Sequence, residues 1–498
     1  MELVTNLLNG LSILVGFQPI LIITIGVIAG ILGGAIPGIS PSMAVALFLP
    51  FTFNMSPTMA LVLLVAIYTA ANFGGSITAV TINSPGTPSA VVTSFDGYPL
   101  SQQGKTGTAL GVALVSSVFG GLLGTVILIL FSVPLAKVAL SFWPQEYFML
   151  ALMGMTTVAT LGGANWKKAM VAVLFGLLIN TMGLDPITGT MRYTFGVIYL
   201  FDGFSFIPIL IGLFALSEVF SKIELFRPGA EIKANVTVSG WPRVRDYWKL
   251  KFSIIRSAIL GTLIGIFPGA GGTIASFIAY DMEKRLSKTP EMFGKGSSQG
   301  VAAAEASNSS SVGGALVPLL ALGIPGSATA AVLIGALMMH DLAPGPELFT
   351  KNPEIVYGLF ASMFIANAVM LVIGLAGGRL WAKVTEIPQN ILQPLILAFS
   401  VIGSFAVKYS LFDVWTCLGF GVVGWLLKRF GFPLAPVVLG IVLGRIAEIN
   451  FRQAMMLGGP SMFFTRPISL VLFLISVASL LVPFFQARKA RRAKKVKQ

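Results

Sequence analysis

Of 498 residues, 55% are apolar and 10% are charged, and the mean hydropathy is +0.87. Soluble domains run near ~45–50% apolar and ~25% charged, so a water-soluble globule is excluded; at roughly 20 residues per crossing, about 12 transmembrane helices fit. The net charge of +14 lies in loops and a tail, without aromatics interleaved along a groove, and reads as membrane topology, not nucleic-acid binding.

The apolar runs are long and lack two-residue alternation, which selects helices over a transmembrane barrel. No basic stretch precedes the first run, so no cleaved signal peptide is expected. That run, residues 11–36, carries Gly30 and, seven residues on, Pro37-Gly38, with Ser40 just beyond. Proline removes a backbone donor and glycine frees φ, so Pro-Gly at membrane depth ends one half-helix and starts another. Segments follow at 39–53, 57–72 and 74–94; the polar set here is Asn72, Ser76, Thr78, Thr81, Asn83, Ser84, Thr87 and Ser89, around Gly74-Gly75 and Pro85-Gly86. Gly97 and Gly104-Lys105-Thr106 nearly form a phosphate loop, but the first glycine would have to fall at Pro99 and no strand precedes it. ATP hydrolysis by this chain is therefore excluded. Further segments fall at 108–133, 145–163, 168–184 and 196–217, and Asp185, Arg192 and Asp202 between them are expected to be solvated.

Residues 218–250 form a polar linker whose six basic residues, Lys222, Arg227, Lys233, Arg243, Arg245 and Lys249, outnumber its acids, which places it in the cytoplasm. Beyond it, segments fall at 252–267, 270–281, 300–322, 326–340, 356–379, 390–408, 412–428, 433–447 and 466–485. The first two flank Pro268-Gly269, with Gly271 following. The loop at 283–299 is basic as well, so this pair is predicted to enter and return on one side. Glu305 comes next; a carboxylate at membrane depth pairs, takes a proton or binds a cation, and it is the first candidate for ion coupling. The alternative is an interfacial acid favoured by a helix N-terminus. Ser307, Asn308, Ser309, Ser310 and Ser311 suit oxygen coordination of Na⁺, or else small-residue packing. Gly326, Ser327 and Thr329 follow in the next Pro-Gly segment.

The only histidine, His340, is expected to be exposed in a turn, and it excludes a two-histidine zinc site. Cys417 is read as core, and Arg445 with Glu448 as an interfacial helix pair. The basic run from Arg488 to Lys497 puts the C-terminal tail, residues 487–498, in the cytoplasm, where it can also meet anionic lipid.

Gly30 and Pro37-Gly38 align with Gly261 and Pro268-Gly269, and Gly74-Gly75 with Pro85-Gly86-Thr87 align with Gly313-Gly314 and Pro325-Gly326-Ser327, allowing a one-residue slip. The chain is thus a duplication, with halves at 1–217 and 251–486. Paired interrupted segments in two halves are the best sequence pointer to a transporter's binding site, since irregular backbone at membrane depth survives only in protein or beside a watery cavity. A proline kink without a ligand is the competing reading for any one of them. Half-helix N-termini there would suit a carboxylate, though a neutral polar substrate fits the residues too.

The runs Gly34-Ala35-Ile36-Pro37-Gly38-Ile39-Ser40-Pro41, Gly74-Gly75-Ser76, Asn83-Ser84-Pro85-Gly86-Thr87-Pro88, Asp96-Gly97-Tyr98-Pro99 and Leu322-Gly323-Ile324-Pro325-Gly326-Ser327-Ala328-Thr329-Ala330 resemble the large membrane subunit of the tripartite tricarboxylate transporters, over essentially the whole length. The resemblance implies an all-α polytopic carrier, not an enzyme, of the bacterial inner membrane. It implies two inverted-topology repeats with broken helices and re-entrant hairpins, no cofactor, and Na⁺ or H⁺ as coupling ion. Its implied partners are a small membrane subunit, a periplasmic solute-binding protein and a di- or tricarboxylate. The family pattern of Pro-Glu followed by Ala-Asn-Asn becomes Ala304-Glu305-Ala306-Ser307-Asn308-Ser309 here, which keeps the glutamate and one asparagine and alters the polar set. The substrate site is expected at Pro37, Gly38, Ser40, Asn72, Gly74, Gly75, Ser76, Asn83, Gly86, Thr87, Gly269, Gly271, Asn308, Gly326, Ser327 and Thr329. Glu305, Asn308, Ser309 and Ser310 are expected to couple the ion. A channel without ion coupling is the alternative.

Overall fold

The computed structural model describes residues 2–36, 39–161, 166–225, 244–269, 271–377 and 389–496. Pro37, Gly38 and most of the polar linker lie outside them. The first half contains α1 (Glu2–Ile13), α2 (Phe17–Ala35), α3 (Pro41–Phe48), α4 (Pro57–Ile82), α5 (Ala90–Gln102), α6 (Thr106–Ala139), α7 (Pro144–Leu161), α8 (Trp166–Asn180), α9 (Phe206–Ile211) and α10 (Ser217–Leu225). A π-helical turn at Gly212–Leu216 joins the last two. A short antiparallel ladder, β1 (Gly183–Leu184) with β2 (Met191–Arg192), pairs Gly183 with Arg192 in the loop after α8.

The second half contains α11 (Val244–Lys249), α12 (Lys251–Ile266), α13 (Gly271–Leu286), α14 (Ser298–Leu322), α15 (Ala328–Met339), α16 (Glu347–Lys351), α17 (Pro353–Ala376), α18 (Gln389–Lys408), α19 (Leu411–Arg429) and α20 (Leu434–Gly458), followed by α21 (Met462–Thr465) and α22 (Pro467–Val496). Eight of the described helices are long and apolar enough to cross a membrane. Large apolar side chains such as Leu130, Phe131, Val372, Ile402 and Trp415 stand exposed on them, a surface that lipid covers and water would not tolerate. This is an all-α multi-pass membrane protein.

The breaks form where the local chemistry demands them. Helix α4 begins with Pro57 in its first turn, where a missing N–H costs nothing. It ends at Asn83 in the left-handed conformation (φ 52°), which asparagine tolerates better than most residues. Helix α14 ends in the same way at Gly323 (φ 73°). The sequence reading split residues 57–94 at the Gly74-Gly75 pair; instead α4 runs unbroken through both glycines to residue 82. These glycines serve packing. A Cβ on Gly74 would lie 2.4 Å from the Ile31 carbonyl oxygen, and one on Gly34 would lie 2.1 Å from that of Ala71, so α2 and α4 touch backbone to backbone.

Helix α14 occupies the centre, packed on α6, α12 and α13. Gly120 and Gly124 of α6 face the backbone of Ala306 and Ser310, and Gly261 and Gly265 of α12 face Ser307 and Ser311. Small residues let helices approach closely where hydrophobic burial provides no drive. Helices α12 and α13 fold back on each other, and near their free ends Arg256 bonds the buried Glu283 at 2.8 Å. A second group, α7, α8, α20 and α22, packs beside this bundle, and a third joins α18 and α19 to α9, α10 and the π turn.

Two charged expectations are corrected. Asp185 is buried, not solvated, and bonds the Ile187 and Thr188 N–H groups and the Arg452 guanidinium at 2.8, 2.9 and 2.7 Å. Glu448 pairs with Arg192 at 2.6 Å instead of with Arg445. Together Asp185, Arg192, Glu448 and Arg452 lock the β1–β2 loop onto α20. His340 is half-buried rather than exposed. Cys417 is fully buried.

Candidate functional site

The two Pro-Gly breaks share one hydrogen-bond pattern. The Gly86 N–H donates to the Gly75 carbonyl at 3.1 Å, and the Gly326 N–H donates to the Ala315 carbonyl at 3.3 Å. The left-handed caps Asn83 and Gly323 stand at the same spacing from these bonds. The true register therefore pairs Gly74 with Gly314 and Gly75 with Ala315, and the one-residue slip in the sequence alignment disappears. Both Pro-Gly loops dive against glycine backbone: a Cβ on Gly86 would fall 2.0 Å from the Gly34 oxygen, and one on Gly326 would fall 2.9 Å from that of Gly265.

Glu305 is fully buried. Its Oε1 accepts hydrogen bonds from the Ser76 hydroxyl of α4 at 2.5 Å and from the Thr93 hydroxyl of α5. Its Oε2 accepts from the Ser117 hydroxyl of α6 at 2.8 Å. One carboxylate thus gathers hydroxyls from three helices of the other half, an all-oxygen cluster that solvates a buried charge. One turn on, the buried Ser307 Oγ, Asn308 Oδ1 and Nδ2, and Ser309 Oγ have no hydrogen-bond partner among the described residues. Buried polar atoms are normally paired, and unpaired ones mark a place for water or an ion. Ser310 and Ser311 instead bond back to the carbonyls of Ser307 and Asn308.

The second-half loops meet: the Gly269 N–H donates to the Gly326 carbonyl at 3.0 Å. Ser327 caps α15 by accepting from the Ala330 N–H, and its hydroxyl lies 2.9 Å from the Tyr68 hydroxyl of α4, which joins the two halves. Thr329 is beside that phenol. Asn72 bonds its own helix at the Tyr68 carbonyl, Asn83 is exposed at its cap, and Gly271 opens α13 with nothing crowding its α-carbon. Ser40, Gly86 and Thr87 line an open cavity of about 630 Å³, away from Glu305. Ser40 also caps α3 through the Met43 N–H.

Asp96 is a residue whose role the sequence reading missed. It is fully buried on α5, and its Oδ1 accepts the N–H groups of Gly294, Gly296 and Ser297 at 2.8, 2.9 and 2.8 Å. Its Oδ2 takes the Tyr280 hydroxyl at 2.8 Å. The signal was the Asp96-Gly97 pair inside an apolar run.

Broken helices in two copies, glycine-lined approaches and a buried carboxylate fit a membrane transporter. The chain belongs to the tripartite tricarboxylate transporter TctA family, whose profile matches residues 20–439. It is 36% identical over 496 residues, 99% of each chain, to an uncharacterized 52.8 kDa protein of Agrobacterium vitis from the TAR-I ttuC' 3' region. A second A. vitis protein, from the TAR-II ttuC' 3' region, is 37% identical over 234 residues, which is 46% of this chain and 97% of that one. No solved structure matches.

Proposed function

We propose that this chain is the carrier of an ion-driven di- or tricarboxylate uptake system of the bacterial inner membrane, assembled with a small membrane subunit and fed by a periplasmic binding protein. The observation that carries the reading is the Glu305 cluster, with unpartnered Ser307, Asn308 and Ser309 one turn away. A carboxylate ringed by hydroxyls can hold Na⁺ through oxygen or exchange a proton, either of which would tie an ion gradient to helix packing. The doubled Pro-Gly loops lead into the N-termini of α5 and α15, which suit an anion. The two halves are read as inverted repeats, with α2–α3 and α12–α13 as re-entrant hairpins.

Charge bias and helix direction support one orientation. Arg466 pairs with Glu146 at 3.3 Å at the starts of α22 and α7, so these helices run the same way. The basic tail then leaves at the end where Lys167 and Lys168 begin α8. Lysine and arginine gather on the cytoplasmic side, which supports a cytoplasmic reading of the tail and these lysines.

The test is uptake of a labelled carboxylate panel by proteoliposomes holding this chain and its small subunit, with and without the binding protein, under imposed Na⁺ or H⁺ gradients. Accumulation that needs the binding protein and collapses with an ionophore is expected. Flux that only equilibrates, indifferent to either, would overturn the coupled reading in favour of a channel.

A further inference from the structure

The 630 Å³ cavity at the first-half break has a volume typical of small-ligand sites. One wall is the loop Pro85-Gly86-Thr87-Pro88, and the facing wall comes from Phe214 on the π turn, Phe432 and Pro433 ahead of α20, and Leu434 and Ala435 at its start. π turns displace side chains and recur at functional sites. Among its described lining residues two are charged, Glu218 and Lys428, and they pair with each other at 2.7 Å. Both side chains are mostly covered, at 21% and 31% exposure, and belong to helices that run the same way, Gly212 packing on Cys417 and Gly424 on Ser217. Water still reaches both side chains, so a competing carboxylate can enter and take the place of Glu218 on the ammonium without opening the fold. The location of the pair on the wall of a cavity is therefore better explained by exchange than by fastening.

We propose that Lys428 is the cationic contact for a carboxylate group of the substrate, and that Glu218 occupies it while the cavity is empty. This deepens the carboxylate reading above and rests on it. A substrate carboxylate replaces the Glu218 carboxylate on the lysine ammonium, so no net charge is created in the wall, and no bond is made or broken beyond hydrogen bonds. Uncharged analogues cannot displace Glu218, which makes the pair a filter for anions. The rest of the substrate then faces the Gly86 and Thr87 backbone across the cavity.

The test uses the complete transporter in inside-out vesicles, with a Val91→Cys reporter on the cavity wall and a maleimide as label; the buried Cys417 of the unaltered chain sets the background. Citrate is the probe, and tricarballylate trimethyl ester is the uncharged control. Citrate is expected to slow labelling, the ester to leave it unchanged, and Lys428→Gln to raise the citrate concentration required about tenfold. Lys428→Arg should keep most of the protection, and Glu218→Gln should lower the concentration required. Equal protection in Lys428→Gln, with its fold verified by unchanged elution as the assembled complex, would overturn the proposal. So would an absence of protection in a complex that still accumulates citrate, which leaves the carrier reading standing. A complex that neither binds nor moves any carboxylate sinks both.

Discussion

The two halves use one backbone motif for different ends. In the first, the loop at Gly86 opens on the cavity, and its neighbours are hydroxyls: Thr87 with Ser89, and Ser40 with Ser42. In the second, the loop at Gly326 is closed against the hairpin through Gly269 and against α4 through Tyr68. In the shared register Val65 stands where the second half has Glu305, and Tyr68 where it has Asn308. Duplication kept the close-packed glycines and divided the chemistry, leaving the carboxylate to one copy and the open pocket to the other.

The sharpest break in that symmetry comes from Gly86→Val. Its Cβ would meet a backbone oxygen at 2.0 Å, whereas the nearest atom to a Cβ at Gly326 is at 2.6 Å. Gly86→Val should cost about 3 kcal/mol or more and Gly326→Val less, read as the fraction of chain eluting folded in detergent. Equal losses would mean that the two loops are not packed differently. Next comes Glu305→Gln, which keeps shape and most hydrogen bonds but loses the charge. It should fold normally and lose gradient-driven uptake about tenfold or more, since hydrogen bonds to a charged group are worth ~1.5–3 kcal/mol. Normal uptake would remove Glu305 from coupling.

Smaller effects refine the contrast. Tyr68→Phe deletes the bridge between halves and should cost about 1 kcal/mol, measured as a lowered unfolding temperature. Smallest is the outlying loop. The Thr188 N–H, the Arg452 guanidinium and the Ile187 N–H hold the Asp185 carboxyl well below the usual carboxylate range. A lowered folded value gives stability that is present above the ordinary value of 3.8 and lost as pH falls below it. The melting difference between wild type and Asp185→Asn should therefore be flat from pH 8 to pH 5 and shrink only in stronger acid. A difference that shrinks near pH 6 instead would rule out Asp185 as its source.

Much of this was legible in the sequence. Hydropathy gave the multi-pass class, and the Pro-Gly pairs marked breaks at 83–89 and 323–327 because proline and glycine act locally. A carboxylate among alanines and serines announced Glu305. Its partners did not: Thr93 and Ser117 lie about 200 residues away in chain order, and nothing local selects them from the other hydroxyls. Gly74-Gly75 misled for a related reason. A glycine pair reads as a breaker from its own conformational freedom, yet here a neighbouring helix decides, and that helix is remote in sequence. Asp185 and Glu448 were misassigned because their ion pairs span 267 and 256 residues. Asp96 was hidden in the same way.

Asp96 sets a limit on how such a molecule could move. Four donors from 280–297 converge on one carboxylate of α5, so α5, the end of α13 and the start of α14 behave as a single casting. A shear plane cannot run between them without stripping a buried charge of its solvation. Any sliding surface must pass on the far side of this rivet, along the seam where the 630 Å³ cavity separates Pro85-Gly86 from α10 and α19.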